Sequence, residues 1–208
     1  MSRVSLPFPP LLAISDRSQV RRPLVEVARA VFDGGCRWFS LREKDLPAAA
    51  RRALLAELVA LGRPYGATVM AHEDIEAVIA SGAHGVHLAG GRDPKAARAE
   101  LPNGLIGVSA HTPAEAAEQI GSDADYVSIS PIFLTDSKPG YGPALGLAGL
   151  AETVAAANGP IVALGGITPA NARACMEVGA AGTAVMGEVM RAADPAAIVQ
   201  ALIEAITS

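Results

Sequence analysis

The sequence predicts a closed (β/α)8 TIM barrel, an α/β fold in which a single domain spans residues 1–208. Eight short apolar runs alternate along the chain with longer segments that are rich in Ala, Leu, Glu and Arg. Strands that alternate with helices form parallel sheets through right-handed crossovers. Eight such units favour a closed barrel, since an open doubly wound sheet more often has about five or six strands.

The predicted elements follow one another without a low-complexity linker. The strands are predicted at residues 11–16, 38–43, 68–73, 85–90, 105–110, 126–133, 161–166 and 182–189. Segments between them, such as 46–61, 113–120 and 169–178, have apolar residues at helical spacing. Helix starts are predicted at Asp45, Thr112-Pro113 and Thr168-Pro169, because short polar side chains cap helices and Pro is tolerated in the first turn.

The composition excludes several classes of protein. Half of the residues are hydrophobic and 18% are charged, which excludes a disordered chain. Seventeen basic against 21 acidic residues give a net charge of −4, so no nucleic-acid partner is expected. No apolar run approaches the roughly 18 residues of a membrane span, and prolines at 7, 9 and 10 interrupt the apolar N-terminal stretch. Two cysteines, predicted to be buried, fit a reducing compartment, and we expect a cytoplasmic protein without a membrane partner.

Polar residues concentrate at the predicted C-terminal ends of the strands. In this fold the functional side chains lie at that end of the barrel, and six of the eight predicted strands bring polar residues there. Loop ends are polar in any protein, but this distribution favours a ligand site. The long loop 135–146 is predicted to be a lid over it.

Two anion sites are predicted on this rim. Gly165 and Gly166 form a turn without side-chain bulk, where backbone N–H groups can approach a phosphate, and Gly187 supplies the other half of that site. The second site combines three cations with three hydroxyls, a set that suits a diphosphate. Its residues are Arg42, Lys44, Lys138, Ser109, Thr135 and Ser137. The alternative is a set of surface ion pairs, for example between Arg42 and Glu43 or Asp45.

An ordered set of motifs from about residue 12 to residue 195 resembles the thiamine phosphate synthase family, which also contains thiazole tautomerases. The motifs are Leu-Arg-Glu-Lys-Asp at 41–45, Gly-Val-His-Leu at 85–88, Gly-Val-Ser at 107–109, Pro-Ile-Phe at 131–133 with Thr135, Ser137, Lys138 and Pro139, and Ala-Leu-Gly-Gly-Ile at 163–167. The resemblance implies a (β/α)8 barrel that joins hydroxymethylpyrimidine diphosphate to thiazole phosphate and releases pyrophosphate. Its partners would be small phosphorylated heterocycles; a homo-oligomer remains open.

The resemblance also implies roles for individual residues. Arg42, Lys44, Ser109 and Lys138 would hold the diphosphate. Thr135 and Ser137 would contact the thiazole phosphate, with Gly165, Gly166, Met186 and Gly187 forming its cradle. Ser40 stands where the family usually has Gln, and is assigned to substrate binding.

The implied magnesium site departs from the family pattern. His72-Glu73 replaces the usual Asn-Asp, and Arg92 stands at the position of the second metal-binding Asp, with Asp93 one place later. Three alternatives follow. Glu73 and Asp93 together bind Mg²⁺; or Arg92 supplies the missing positive charge and pairs with Glu73 when the site is empty; or the diphosphate reaction is lost.

His72 is a further candidate catalytic residue. A histidine near neutral pKa can shuttle protons, as a tautomerase requires, or it can simply hydrogen-bond the ligand. The family's tautomerases carry their catalytic His where this chain has Pro131. Three functions therefore stay open: a synthase, an isomerase of a thiazole phosphate, and a catalytically silent barrel that binds a phosphorylated ligand.

Overall fold

The computed structural model describes residues 4–135 and 143–208. Ser137 and Lys138, together with residues 136–142 of the predicted lid, lie outside the described residues.

Eight parallel strands close into a barrel in chain order, as the sequence predicts. Each strand is hydrogen-bonded to the next, and the eighth pairs with the first. The strands are β1 (Leu11–Ile14), β2 (Trp38–Leu41), β3 (Thr68–His72), β4 (Gly85–Leu88), β5 (Leu105–Ala110), β6 (Tyr126–Ile129), β7 (Ile161–Leu164) and β8 (Gly182–Val185). Most end earlier than predicted, because the last residues of the predicted runs already belong to the loops at the rim.

The helices surround the barrel and alternate with the strands. They are α1 (Leu24–Asp33), α2 (Ala48–Gly62), α3 (Ile75–Ser81), α4 (Pro94–Glu100), α5 (Pro113–Gly121), α6 (Gly146–Ala156), α7 (Ala172–Glu177), α8 (Gly187–Met190) and α9 (Pro195–Thr207). Short 3-10 turns occupy Arg17–Gln19 and Arg63–Tyr65. In the described ranges, no helix combines the length and the apolar character needed to cross a membrane.

One predicted helix start is confirmed and two are wrong. Thr112 caps α5 by accepting a hydrogen bond from the Glu115 amide at 3.2 Å. Asp45 does not cap α2, which begins after Pro47; the Asp45 carboxylate instead pairs with the Arg17 guanidinium. α7 begins three residues beyond Pro169, because Thr168 donates its backbone N–H to the Asn171 side chain and prolongs the turn.

The barrel interior is filled by alternate residues of the strands, as the twofold period of a strand requires. A closed apolar layer fills its lower part. Trp38 and Tyr126 meet edge to face at its centre, with ring centroids 4.8 Å apart. Gly107 makes room for them, since a Cβ atom there would lie 2.1 Å from Cζ of Tyr126. This layer is the floor beneath the rim.

Candidate functional site

A cavity of about 380 Å³ opens at the C-terminal end of the barrel. Nine residues that the sequence assigns to the site line it: Arg42, Lys44, His72, Ser109, Thr135, Gly165, Gly166, Met186 and Gly187. They come from six different strands or the loops that follow them. The structure therefore brings together most of the predicted site around a single cavity.

Two cations stand on one wall of the cavity, and a buried carboxylate holds the strand end that presents them. The Glu43 side chain accepts hydrogen bonds from Ser15 Oγ at 2.7 Å and from the Arg17 amide at 3.0 Å. Ser15 Oγ in turn accepts from the Arg42 amide at 2.8 Å. Arg42 and Lys44 line the cavity, whereas the carboxylate of the residue between them, Glu43, is bonded to Ser15 and the Arg17 amide. Burial raises the pKa of Glu43, against the hydrogen bonds that favour its charged form.

The predicted alternative, an ion pair between Arg42 and Glu43 or Asp45, is not formed. Both carboxylates interact with Arg17 instead. Among the described side chains, neither Arg42 nor Lys44 has a carboxylate within salt-bridge distance. Their charge is consequently available to an anion in the cavity.

Another wall of the cavity is made by a turn that only glycine can form. Gly165 and Gly166 have φ angles of 98° and 64°, and a Cβ atom on Gly166 would lie 2.6 Å from the Leu134 carbonyl oxygen. Asn171 fixes this turn by donating to the Gly166 carbonyl at 2.9 Å and accepting from the Thr168 amide at 2.8 Å. Gly166 therefore exposes backbone to the cavity in a rigid arrangement that suits a phosphate.

Replacing Gly166 by alanine is expected to weaken phosphate binding at least tenfold and to destabilise the fold by roughly 1–3 kcal/mol, through overpacking in addition to the positive φ. Gly66→Ala is the matched control, because Gly66 has a φ of 63° and a methyl group added there would meet nothing within 4 Å. Calorimetric titration with inorganic phosphate and urea unfolding measure both effects. Equal phosphate affinity in Gly166→Ala and Gly66→Ala would contradict a phosphate site at this turn.

A hydrogen-bonded histidine lies between the cavity and the apolar floor. The His87 ring is 1% exposed; its Nδ1 lies 2.8 Å from Tyr126 Oη and its Nε2 lies 2.9 Å from Ser109 Oγ. His72 stacks on it, with ring centroids 4.9 Å apart. Burial lowers the pKa of His87 to about 4, and the nearby charge of Arg42 acts in the same direction. His87 is therefore a neutral imidazole at neutral pH.

The two predicted metal ligands each have a different partner. Arg92 Nε lies 3.4 Å from Glu73 Oε1, so the arginine pairs with the carboxylate that was predicted to bind magnesium. Asp93 Oδ1 accepts the Lys95 amide at 2.9 Å and caps α4. Over the described ranges there is no group of three or more His, Cys, Asp or Glu residues placed to hold a metal ion. These residues do not fit a magnesium site held by the protein.

Ser40 also differs from its prediction. Its side chain is fully buried beside Ile14 and Met70 in the strand register, below the cavity, and does not line it. Its hydroxyl has no hydrogen-bond partner among the described residues. The residue faces the barrel interior, as the strand period predicts, although its register partner Ile14 does line the cavity.

Among the residues that line the cavity without having been predicted from the sequence are two polar ones, Ser130 and Arg191. Ser130 lines it from the end of β6, where the strand period places it on the same face as Tyr126 and Ser128. Arg191 reaches it from the end of α8. The predicted strand 182–189 is wrong beyond Val185, because residues 187–190 form a helix, and that helix turns Arg191 toward the rim.

Comparison with known proteins agrees with this geometry. A family model described as thiamine monophosphate synthase matches residues 11–189. The chain is 36% identical over 206 residues to the thiamine-phosphate synthase of Roseiflexus castenholzii, a match that covers 95% of this chain and 90% of that protein. It is 38% identical over 193 residues to the thiamine-phosphate synthase of Geobacillus kaustophilus, covering 89% of this chain and 86% of that protein.

A solved structure is similar along nearly the whole chain. The thiamine phosphate pyrophosphorylase from Pyrococcus furiosus matches with a TM-score of 0.85 and 31% sequence identity. The match covers 95% of this chain and 96% of that one.

Proposed function

Because the chain belongs to the thiamine monophosphate synthase family, we propose that it joins hydroxymethylpyrimidine diphosphate to thiazole phosphate, giving thiamine phosphate and pyrophosphate. The observation that supports this most directly is the two-sided cavity. Arg42 and Lys44 stand on one wall without carboxylate partners among the described residues, and the Gly165-Gly166 turn stands on another. Two phosphorylated substrates need two such anion sites in one enclosure.

The reaction needs charge and orientation more than acid–base catalysis. The bond between the pyrimidine methylene carbon and the diphosphate oxygen breaks, its electron pair leaves with pyrophosphate, and the thiazole nitrogen forms the new bond to that carbon. Arg42, Lys44 and the Ser109 hydroxyl stabilise the charge that develops on the leaving diphosphate. The glycine turn holds the second substrate so that its nitrogen faces the carbon. Ser137 and Lys138 lie outside the described residues, and the roles that the resemblance implies for them stay predictions.

The Glu73–Arg92 ion pair favours the second of the three alternatives for the missing metal site, in which Arg92 supplies positive charge. A second, more open depression that Glu73 lines shares Lys44 and His72 with the cavity, so the Glu73 carboxylate lies next to the cavity. We propose that Arg92 exchanges Glu73 for the diphosphate when substrate binds. In the part of the chain that the structure describes, no three His, Cys, Asp or Glu side chains are grouped to hold a magnesium ion, and the residues above act without one.

Opposite changes in pyrophosphate affinity are expected from the two partners. Arg92→Ala should weaken binding several-fold, because a charge-assisted contact is lost at an exposed site. Glu73→Gln should strengthen it, because the competing carboxylate is removed. Isothermal titration with pyrophosphate, with and without magnesium, measures both, and Lys95→Ala controls for the loss of one exposed cation. Weaker binding in Glu73→Gln would contradict the exchange and favour a metal-ligand role for Glu73.

The proposed function is tested by incubating the purified protein with both substrates and following thiamine phosphate. We expect product, with pyrophosphate released in equal amount. If both substrates bind and no thiamine phosphate forms, the synthase proposal is wrong and a silent phosphate-binding barrel is favoured. If the thiazole phosphate is isomerised instead, and His72→Ala abolishes that turnover, the isomerase alternative is correct.

A further inference from the structure

A line of hydrogen-bonded groups connects the apolar floor of the barrel to the cavity. Trp38 Nε1–H donates to Met70 Sδ at 2.9 Å, and Tyr126 Oη lies 3.9 Å from the same sulfur. Tyr126 Oη is 2.8 Å from His87 Nδ1, and His87 Nε2 is 2.9 Å from Ser109 Oγ. Of these residues, Ser109 and His87 line the cavity. The Trp38 and Tyr126 side chains are fully buried beneath it.

The acceptors available to Tyr126 determine where the protons lie. A buried phenol needs an acceptor for its proton. The Met70 thioether is a weak acceptor, more distant, and already receives the Trp38 N–H. The phenol therefore donates to His87 Nδ1. A neutral imidazole that accepts at Nδ1 carries its proton on Nε2.

The proton on His87 Nε2 then determines what Ser109 presents to the cavity. Nε2–H donates to Ser109 Oγ, with Ser128 Oγ a second neighbour at 3.2 Å. Since Ser109 accepts from below, its own proton is free to point into the cavity. Phosphate oxygens at neutral pH chiefly accept hydrogen bonds, so they favour this orientation. In the opposite tautomer Ser109 would donate to His87 and turn a lone pair toward the anion.

We infer that His87 is a positioning residue: it is held by Tyr126 in the Nε2–H tautomer and thereby keeps the Ser109 hydroxyl oriented as a donor to substrate diphosphate. This inference rests on the proposed function, which places the diphosphate at Ser109. Gly107 is needed for the same arrangement, because the absence of a side chain there leaves the space that the Tyr126 ring occupies.

The first test reads the tautomer without any ligand. In ¹⁵N-labelled protein at neutral pH, long-range ¹H–¹⁵N spectra distinguish the two ring nitrogens, and His87→Gln identifies the resonances of His87. We expect the Nε2–H form in the unaltered protein, and a shift toward the other tautomer in Tyr126→Phe, which keeps the ring and removes the donor. An Nδ1–H tautomer or an imidazolium in the unaltered protein would overturn the inference.

The second test measures inorganic pyrophosphate binding by calorimetry. Ser109→Ala is expected to weaken it about tenfold or more, as for a lost hydrogen bond to a charged group. His87→Leu should weaken it comparably in the wild-type background and have little further effect in Ser109→Ala, since the two residues act through one contact. His87→Gln, whose amide N–H can replace Nε2–H, should recover part of the loss.

The outcomes separate this inference from the proposed function. If Ser109→Ala leaves pyrophosphate affinity unchanged, the diphosphate site fails and the positioning role fails with it, although the tautomer result stands as measured. If Ser109→Ala weakens binding but His87→Leu and His87→Gln lower the affinity equally and additively, the positioning role alone is overturned. Should His87→Leu fail to fold, Tyr126→Phe replaces it, and unchanged affinity despite a changed tautomer overturns the inference.

Discussion

Arg42→Met is expected to lower kcat/KM for thiamine phosphate formation by roughly 10²–10³-fold, the effect of removing one preorganised donor to a developing anion. The Arg42 side chain lines the cavity, and among the described residues no carboxylate lies within salt-bridge distance of it, so its guanidinium can bind an anion there. Most of the loss should fall on kcat, because charge on the departing diphosphate grows as its bond to carbon breaks. Steady-state kinetics with both substrates measure the change.

The same variant should remain folded, which separates catalysis from stability. The contact that fixes this strand end uses the Arg42 backbone N–H, donated to Ser15 Oγ at 2.8 Å, and methionine retains it. We expect the free energy of unfolding to change by less than about 0.5 kcal/mol. Trp38, the only tryptophan and fully buried, reports unfolding by its fluorescence. Lys95→Met controls for the loss of a cation, and kinetic changes of equal size in both variants would contradict a specific role for Arg42.

The fold and most of the rim follow from local pattern. Eight apolar runs separated by helical segments are enough to predict the barrel, because parallel strands joined by helices have few other ways to bury both faces. Once the barrel is predicted, the C-terminal ends of all its strands are known to lie at the same end. Arg42, Ser109 and Gly166 line the same cavity because each lies at or just beyond the C-terminal end of a strand of the same closed sheet.

What sequence could not predict depends on contacts between distant strands. The role of His87 requires the Tyr126 ring to occupy the space left at Gly107. No local sequence pattern predicts that this glycine and this tyrosine pack against each other. The choice between a metal and an ion pair at Glu73 is similar. From the sequence, Glu73, Arg92 and Asp93 are compatible with a metal site and with an ion pair. In the structure the loop after β4 places the Arg92 guanidinium beside the Glu73 carboxylate, which is the ion pair.

A second large effect is expected in acid. His87 has a folded-state pKa of about 4, lowered first by burial and then by the charge of Arg42, whereas an unfolded-chain histidine titrates near 6.5. Between these two values the unfolded chain binds a proton that the folded protein does not. Stability therefore rises with pH across this window. The contribution of His87 is complete above about pH 6.5 and is lost as pH falls to about 4, a change of about 3 kcal/mol.

His87→Gln isolates this contribution because it removes the titrating ring and keeps a hydrogen-bonding side chain. Urea unfolding at a series of pH values from 7.5 to 4 should give a smaller loss of unfolding free energy in the variant, and the difference in slope should approach about 1.4 kcal/mol per pH unit. Asp16 and Asp74, whose pKa values are lowered, and Glu43, whose pKa is raised, also change stability with pH. All three are present in both proteins, so their contributions cancel in the comparison. Parallel curves would mean that the folded protein admits a proton to His87, and a cationic imidazole would leave Tyr126 without its acceptor at Nδ1.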